Sequence, residues 1–492
     1  MAVDNILGGG ALREKIRNRI RPPAFLAVAA GIIVSILLWF AGSGLFAYLT
    51  SDDARNIYLA WRKPYYRILL ENVAFFTPAY RPMGTLFYRL LFDIAGLNAL
   101  PYRIICFALI IFNLYLLYRT AAAISMPEIG LLAALFGSYN AGFVDLYRNT
   151  GTIYDLLCFA FYFLALLLYV SARKKACRFA ARKTIAFLLL YACALNSKEA
   201  AVTLPVVLVV YELLFVRVEY NFQTSNYLVS RWTPAILSGA LTILVLFGKL
   251  SAGSPLAGND AYRLHLGLRT YFRALRHYLE TLTGAPGSFS MGLFLATFAM
   301  LAFMTIFARR RCLIFALLFF FITILPVAFI EVRGGYAIYI PSFGIALFMA
   351  QFIVECRRAL AWVVVGDDGI PVPQTRRLLQ FDTFLFCLII LVAFHRSRPL
   401  GEVSAADNML RSLVSQLRGT QPRVAQNSRV LILDDPTPED YAVLFILRLY
   451  YRAPDLEVDR AKTVAAKPTR GDFESYDRIF AFNGGSLVRV KP

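Results

Sequence analysis

The stretch AFLAVAAGIIVSILLWFAGSGLFAYLTSDD, residues 24–53, decides the fold. From Ala24 to Leu49 it carries no charged side chain, and it then meets two adjacent carboxylates, Asp52 and Asp53. About 20 apolar residues cross a bilayer core as a helix, so this run reads as a membrane span. Arg13, Lys15, Arg17, Arg19 and Arg21 precede it. The run is too long for a signal-peptide core and shows no convincing cleavage site, which makes it an uncleaved anchor. With the basic tail inside, the chain emerges on the outer face just before Asp52.

The rest of the 492 residues repeats this pattern: 59% are hydrophobic, 15% aromatic and only 17% charged. Further spans are expected at about 102–118, 129–146, 153–170, 184–195, 200–216, 232–249, 289–308, 312–330, 340–356 and 380–395. The fold class is thus an α-helical polytopic membrane protein of about eleven transmembrane helices, N-terminus inside and C-terminus outside. Basic clusters at Arg173–Lys183, Arg309–Arg311 and Arg357–Arg358 all fall on the inner side of this alternation. They account for much of the +20 net charge, so nucleic acid is not expected as a partner. The seven cysteines show no CxxC spacing and only three histidines occur, which indicates neither a disulfide framework nor a histidine metal site.

Three regions are expected: a cytoplasmic basic tail (1–23), a transmembrane region (24–398, with outer loops 50–101 and 250–288) and a small extracytoplasmic α/β domain (399–492). In the last, Val430–Leu433 reads as a strand, about 437–451 as a helix and about 479–490 as a strand pair. Residues 57–70 and 268–279 interleave aromatic and basic residues as interfacial amphipathic helices do.

Charge inside or beside membrane helices is costly and is usually paired or functional. Here Asp52, Asp53, Arg81, Asp145, Arg148, Asp155, Lys198, Glu199, Glu331 and Arg333 all fall at outer helix ends or in outer loops. Each alone is an ordinary helix-end charge; together they imply one polar cavity opening outward. Transporters place their sites near the midplane on interrupted helices, often with an internal repeat. Neither feature is evident in the sequence, so outer-face chemistry is preferred to a transporter or flippase.

The ordered motifs resemble a known family. The outer Asp52-Asp53, Tyr80-Arg81-Pro82-Met83, Tyr154-Asp155-Leu156-Leu157, Ser197-Lys198-Glu199 and Tyr339-Ile340-Pro341-Ser342-Phe343-Gly344 look like landmarks of integral-membrane glycosyltransferases of the C-type (GT-C) fold. The similarity covers roughly 45–350 and is closest to the protein O-mannosyltransferase-like branch, whose relatives often carry tetratricopeptide repeats. Ile153 stands where relatives place an arginine before Asp-Leu-Leu, Gly334-Gly335 displaces Arg333 from the Tyr-x-Pro element, and no such repeats follow.

The resemblance implies transfer of a sugar, mannose in that branch, from a polyprenyl-phosphate carrier to an acceptor hydroxyl on the outer face. An inverting transfer needs one carboxylate base and cations for the departing phosphate. Asp52 or Asp53 is expected as the base, with Asp53 slightly favoured. Arg81, Lys198, Arg333, Tyr80 and Arg148 are expected around the lipid phosphate, and Glu199, Asp155 and Tyr339 in orienting or structural roles. No metal is firmly implied; a divalent cation on Asp52, Asp53 and Glu199 is the minority reading. Expected partners are membrane lipid, the lipid-linked sugar and a protein, lipid or glycan acceptor. The expected location is a bacterial inner or plasma membrane, and a non-catalytic scaffold for lipid-linked glycans is a further alternative.

Overall fold

The computed structural model describes residues 22–77, 81–174, 181–216, 225–252, 263–284, 287–288, 290–365, 373–396, 400, 405–419, 428–434, 442–463, 471–483 and 486–491. The first half comprises α1 (Pro22–Ala41), α2 (Ser51–Trp61), α3 (Tyr65–Val73), α4 (Pro82–Ala95), α5 (Ala99–Ile124), α6 (Pro127–Gly137), α7 (Val144–Arg148), α8 (Ile153–Lys174) and α9 (Ala181–Ser197). Then come α10 (Leu204–Phe215), α11 (Ser225–Ser251), α12 (Leu268–Thr283), α13 (Met291–Ala308), α14 (Arg311–Thr323), α15 (Ser342–Val365) and α16 (Pro373–Arg396). The carboxy-terminal part holds α17 (Ala405–Gly419), β1 (Arg429–Leu433), α18 (Ala442–Tyr450), β2 (Glu457–Arg460), β3 (Arg478–Asn483) and β4 (Ser486–Lys491). The protein is a polytopic α-helical membrane protein with a small carboxy-terminal sheet.

Each expected span contains helix, though 312–330 divides into Arg311–Thr323 and a short turn at Leu325–Ala328. Among the described residues, five helices are long and apolar enough to cross a bilayer unaided, or six if one bent pair is one span. The helices α9, α10, α13 and α14 are shorter, and α15 carries Glu355, Arg357 and Arg358 in its second half. The bent pair corrects one expectation. Residues 129–146 do not form a single helix, because the chain turns by 61° between α6 and α7. Asn140 makes the break: its Oδ1 accepts from Gly142 N at 2.8 Å while its Nδ2 donates to Leu282 O at 2.8 Å. A side chain serving the backbone this way competes with the helical ladder.

The core between α8, α14 and α15 is aromatic. Phe159 and Phe163 stack at 4.1 Å, and Phe343 lies 4.8 Å from Phe163 and 5.0 Å from Phe319. Polar ends bracket it. Asp155 and Arg173 stand at opposite ends of α8, about 27 Å apart at 1.5 Å per residue. At the Arg173 end, Arg173 Nε donates to Glu212 at 2.6 Å, Arg357 pairs with Glu128, and Arg310 with Glu355 at 3.2 Å. Arg173, Arg310 and Arg357, one from each of the three basic clusters, are thus all paired with carboxylates.

At the other end the loop after α1 packs closely. A Cβ at Gly44 would lie 2.0 Å from the Tyr147 carbonyl oxygen, and Arg103, fully buried, donates to Gly44 O at 3.0 Å and also to Tyr147 O. The backbone cannot yield there, so Gly44→Ala is expected to cost about 1–3 kcal/mol through overpacking. A melting temperature unchanged by that substitution, measured in detergent, would contradict the close approach.

The sheet order is β2-β1-β3-β4, with β1 parallel to both β2 and β3 and β4 antiparallel to β3. Strand β2 has no sequence signal because its four residues, EVDR, hold only one apolar side chain. The unit docks through α18 onto α2: Tyr58 donates to Pro454 O at 2.9 Å, and Phe445 packs 5.0 Å from the Tyr58 ring. Arg411 of α17 donates to Phe46 O in the loop after α1.

Candidate functional site

The site begins at the amino terminus of α2, where Thr50 and Asp53 form a reciprocal cap. Asp53 N donates to Thr50 Oγ1 at 3.3 Å, and Thr50 N donates to Asp53 Oδ2 at 2.8 Å. The other carboxylate oxygen of Asp53 accepts from Tyr88 Oη at 2.6 Å. Asp53 is fully buried, whereas Asp52, one residue earlier and on another face of the turn, is exposed. Burial pushes the Asp53 carboxyl above the ordinary range, and the bonds from Tyr88 and Thr50 offset part of that.

This shift has a consequence for stability. The folded state binds the Asp53 proton more tightly than the unfolded chain does. Stability from this group is full below the unfolded pKa and is lost as pH rises through the raised folded value. The cap itself contributes about 1 kcal/mol. The stability difference between wild type and Asp53→Asn is therefore expected to shrink as pH rises through that window. Thermal melts at a series of pH values check this, and a gap that widens with pH would refute it.

Two ion pairs stand beside the cap. Arg81, leading into α4, contacts Glu199 at 2.8 Å, and Lys198 contacts Asp155 at 2.5 Å. Lys198 and Glu199 follow α9 directly, in the sharp turn before α10, so adjacent residues present opposite charges to α4 and α8. Burial alone would raise the Glu199 carboxyl, but Arg81 brings it below the ordinary range. The Tyr154 ring links the groups: Arg81 lies over it at 5.4 Å and the Tyr88 ring is 6.3 Å away. Gly84 makes room, since a Cβ there would fall 2.0 Å from the Tyr154 ring.

The 331–336 segment closes the other side. Tyr336 sits 4.7 Å from Lys198 Nζ, and a Cβ at Gly334 would come 2.5 Å from Asp145 Oδ2. The Arg333 backbone N donates to Tyr278 Oη at 3.2 Å, which fixes this segment against α12.

Of the residues singled out in sequence, Arg81 lies over Tyr154 and pairs with Glu199, Lys198 pairs with Asp155, and Asp53 is bonded to Tyr88, whose ring is 6.3 Å from Tyr154, with Asp52 beside it on the first turn of α2. Arg333 is half-buried on the segment beside Lys198 and Asp145, and Arg148 is half-buried at the end of α7. Tyr339 belongs to the packed core, 4.5 Å from Phe159 and 5.8 Å from Phe143. Tyr80 lies outside the described residues. The proposed Asp52, Asp53 and Glu199 metal set is not assembled: Thr50 and Tyr88 hold Asp53, and Arg81 holds Glu199. Among the described residues no three His, Cys, Asp or Glu side chains are placed to hold a metal ion. Sequence reasoning missed Tyr154, Tyr88 and Tyr336 as linking groups. It quoted the first within a motif, but nothing in the sequence tells which tyrosine faces a charge.

No protein-family model and no curated protein matches this chain. Solved structures do. ArnT from Cupriavidus metallidurans bound to undecaprenyl phosphate is 14% identical with a TM-score of 0.51, covering 88% of this chain and 86% of ArnT. The chain has the GT-C fold. The apo state of the same ArnT gives 13% identity and a TM-score of 0.51 over 89% of this chain and 86% of ArnT. The oligosaccharyltransferase of Archaeoglobus fulgidus in the apo form is 10% identical with a TM-score of 0.47; the match covers 89% of this chain and 64% of the archaeal one. The mannosyltransferase branch is not singled out by these neighbours.

Proposed function

We propose that this GT-C protein is a glycosyltransferase that moves a sugar, with mannose the first to test, from a polyprenyl-phosphate donor to an acceptor hydroxyl on the outer face. The observation that carries the reading is the pair of adjacent ion pairs, half-buried Arg81–Glu199 and buried Lys198–Asp155, joined through Tyr154 and Tyr88 to the amino terminus of α2 that carries the exposed carboxylate Asp52. Asp52, the carboxylate that solvent reaches, takes the proton of the acceptor hydroxyl as its oxygen attacks the anomeric carbon. The anomeric carbon–oxygen bond breaks, its electron pair goes to the phosphate, and Arg81 and Lys198 offset the charge that gathers there. One base suffices for an inverting displacement.

This assignment moves the base from Asp53 to Asp52. Asp53 spends its lone pairs on the α2 cap and Tyr88, so its removal is a structural loss. Glu199 and Asp155 hold the two cations in place before the donor arrives. Sidedness is supported by Arg173, which begins one basic cluster, standing at the opposite end of α8 from Asp155. The break between α6 and α7 removes one premise against a transporter. Yet it falls at α7, a single turn whose Asp145 borders the site, and not in mid-bundle.

The deciding experiment reconstitutes the protein in liposomes with radiolabelled undecaprenyl-phosphate mannose and a panel of hydroxyl acceptors, with undecaprenyl-phosphate glucose as a second donor. Transfer of label with release of undecaprenyl phosphate is expected. Movement of intact donor between leaflets without bond cleavage would replace this reading with a transporter.

A further inference from the structure

We propose that three arginines at the seam between α2 and the carboxy-terminal unit bind the acceptor, and that the acceptor is an acidic glycan bearing carboxylate or phosphate groups. The inference rests on the glycosyltransferase reading and names the second substrate of that site.

Arg62 caps the end of α2, Arg448 stands in the last turn of α18, and Arg452 follows two residues beyond it. The guanidinium carbons of Arg62 and Arg448 lie 5.8 Å and 5.5 Å from the centre of one ring, Tyr58. Arg452 lies 5.7 Å from the centre of Phe92, whose ring is 5.8 Å from that of Trp61, the neighbour of Arg62. Arg62 and Arg452 are exposed. Arg62 reaches Tyr58 Oη at 3.5 Å and Arg448 Nε donates to Leu456 O at 2.9 Å, but none of the three meets a carboxylate among the described residues. Arg81, Arg173, Arg310 and Arg357 each have one. Guanidinium forks match carboxylate and phosphate, so like charges gathered this way fit an anionic ligand.

The backbone at Arg452 is an independent observation. It is left-handed, with φ 50°. Ala453 N donates to Arg448 O at 3.0 Å and Arg452 N to Leu449 O at 3.3 Å, the helix end at which glycine usually fills the left-handed position. A side chain there is strained against its own backbone. Here the strained residue is the one that sets a guanidinium on the seam, and such outliers gather at ligand sites.

The seam shares a helix with the base. Asp52, Arg55, Leu59 and Arg62 recur at helical spacing along the exposed face of α2. Asp52 and Arg62 are about 15 Å apart along its axis. An acceptor with its hydroxyl at Asp52 and its acid at Arg62 is therefore an extended chain. A glycan fits better than an acidic peptide. An extended peptide would add to the free sheet edge at β2, which carries Glu457 and Asp459 against the single Arg429. Further acid is repelled there.

The test measures binding of hexagalacturonate, phosphorylated mannohexaose, uncharged maltohexaose and hexaglutamate to the full-length protein in nanodiscs. Both acidic glycans are expected to bind about tenfold more tightly than maltohexaose, with affinity falling as salt rises. Arg62→Gln/Arg452→Gly is expected to weaken both by about tenfold or more, as loss of charge-assisted bonds does, and to leave maltohexaose unchanged. Arg452→Gly alone is expected to lose affinity without losing melting temperature, because glycine accepts the left-handed backbone. A lower melting temperature with undiminished affinity overturns the assignment. Equal binding of maltohexaose overturns the acidic class, and tighter binding of hexaglutamate replaces the glycan with a peptide. Transfer assays in liposomes keep the two readings apart. Wild type that transfers sugar but binds neither acidic glycan overturns this inference alone. Wild type that binds them but transfers no sugar from any donor overturns the acceptor role through failure of the glycosyltransferase reading.

Discussion

Asp52→Asn is expected to lower the turnover number for sugar transfer by about a thousandfold, within the range a positioned general base supplies. Affinity for the lipid donor is expected to stay within about threefold, because the cations assigned to the phosphate, Arg81 and Lys198, are held by Glu199 and Asp155 and not by Asp52. Asp53→Asn should behave in the opposite way. It weakens the cap and the Tyr88 bond, lowers the melting temperature, and leaves the molecules that remain folded able to turn over. Assay of both variants in liposomes, with melting curves on the same preparations, decides between the neighbours. A dead Asp53→Asn with a native melting point, beside a fully active Asp52→Asn, would return the base to the buried carboxylate.

The second large effect concerns the Lys198–Asp155 pair. Both side chains are about nine-tenths buried, at 10% and 9% exposure. Lys198→Met leaves Asp155 buried without its cation, a change that costs about 3–5 kcal/mol where a buried pair is broken from one side. Loss of both stability and transfer is expected. The double substitution Lys198→Met/Asp155→Leu removes the orphaned charge, and its stability is expected to return toward wild type. Its activity is not, because the cation for the leaving phosphate is gone. Denaturation in detergent and transfer assays on the three proteins separate the two roles. A double variant that regains both stability and activity would make the pair purely structural.

Much of this arrangement was legible in the sequence. Runs of apolar residues long enough for a bilayer mark helices wherever they occur, since unpaired backbone groups cannot survive in lipid. Each expected span has a helix on it, and the small sheet stands where Val430–Leu433 and 479–490 place it. The break at Asn140 and strand β2 escaped. The first depends on a contact with Leu282 that is distant in sequence, and the second is too short and too charged to carry an alternating pattern. Of the candidate residues, the short polar motifs at Asp52-Asp53, Arg81, Asp155 and Lys198-Glu199 were visible because charge is sparse near membrane helices. Tyr339 lay in an equally visible motif and turned out to pack in the core.

What the sequence determined alone is the membrane fold class, the positions of its helices and the set of charged residues available at one end. The choice within that set came only from tertiary structure. Asp52 and Asp53 are chemically identical neighbours, and a helix turn of about 100° per residue separates an exposed carboxylate from a buried cap. Pairing of Arg81 with Glu199 across 118 residues, and of Lys198 with Asp155 across 43, follows from how α4, α8 and α9 pack.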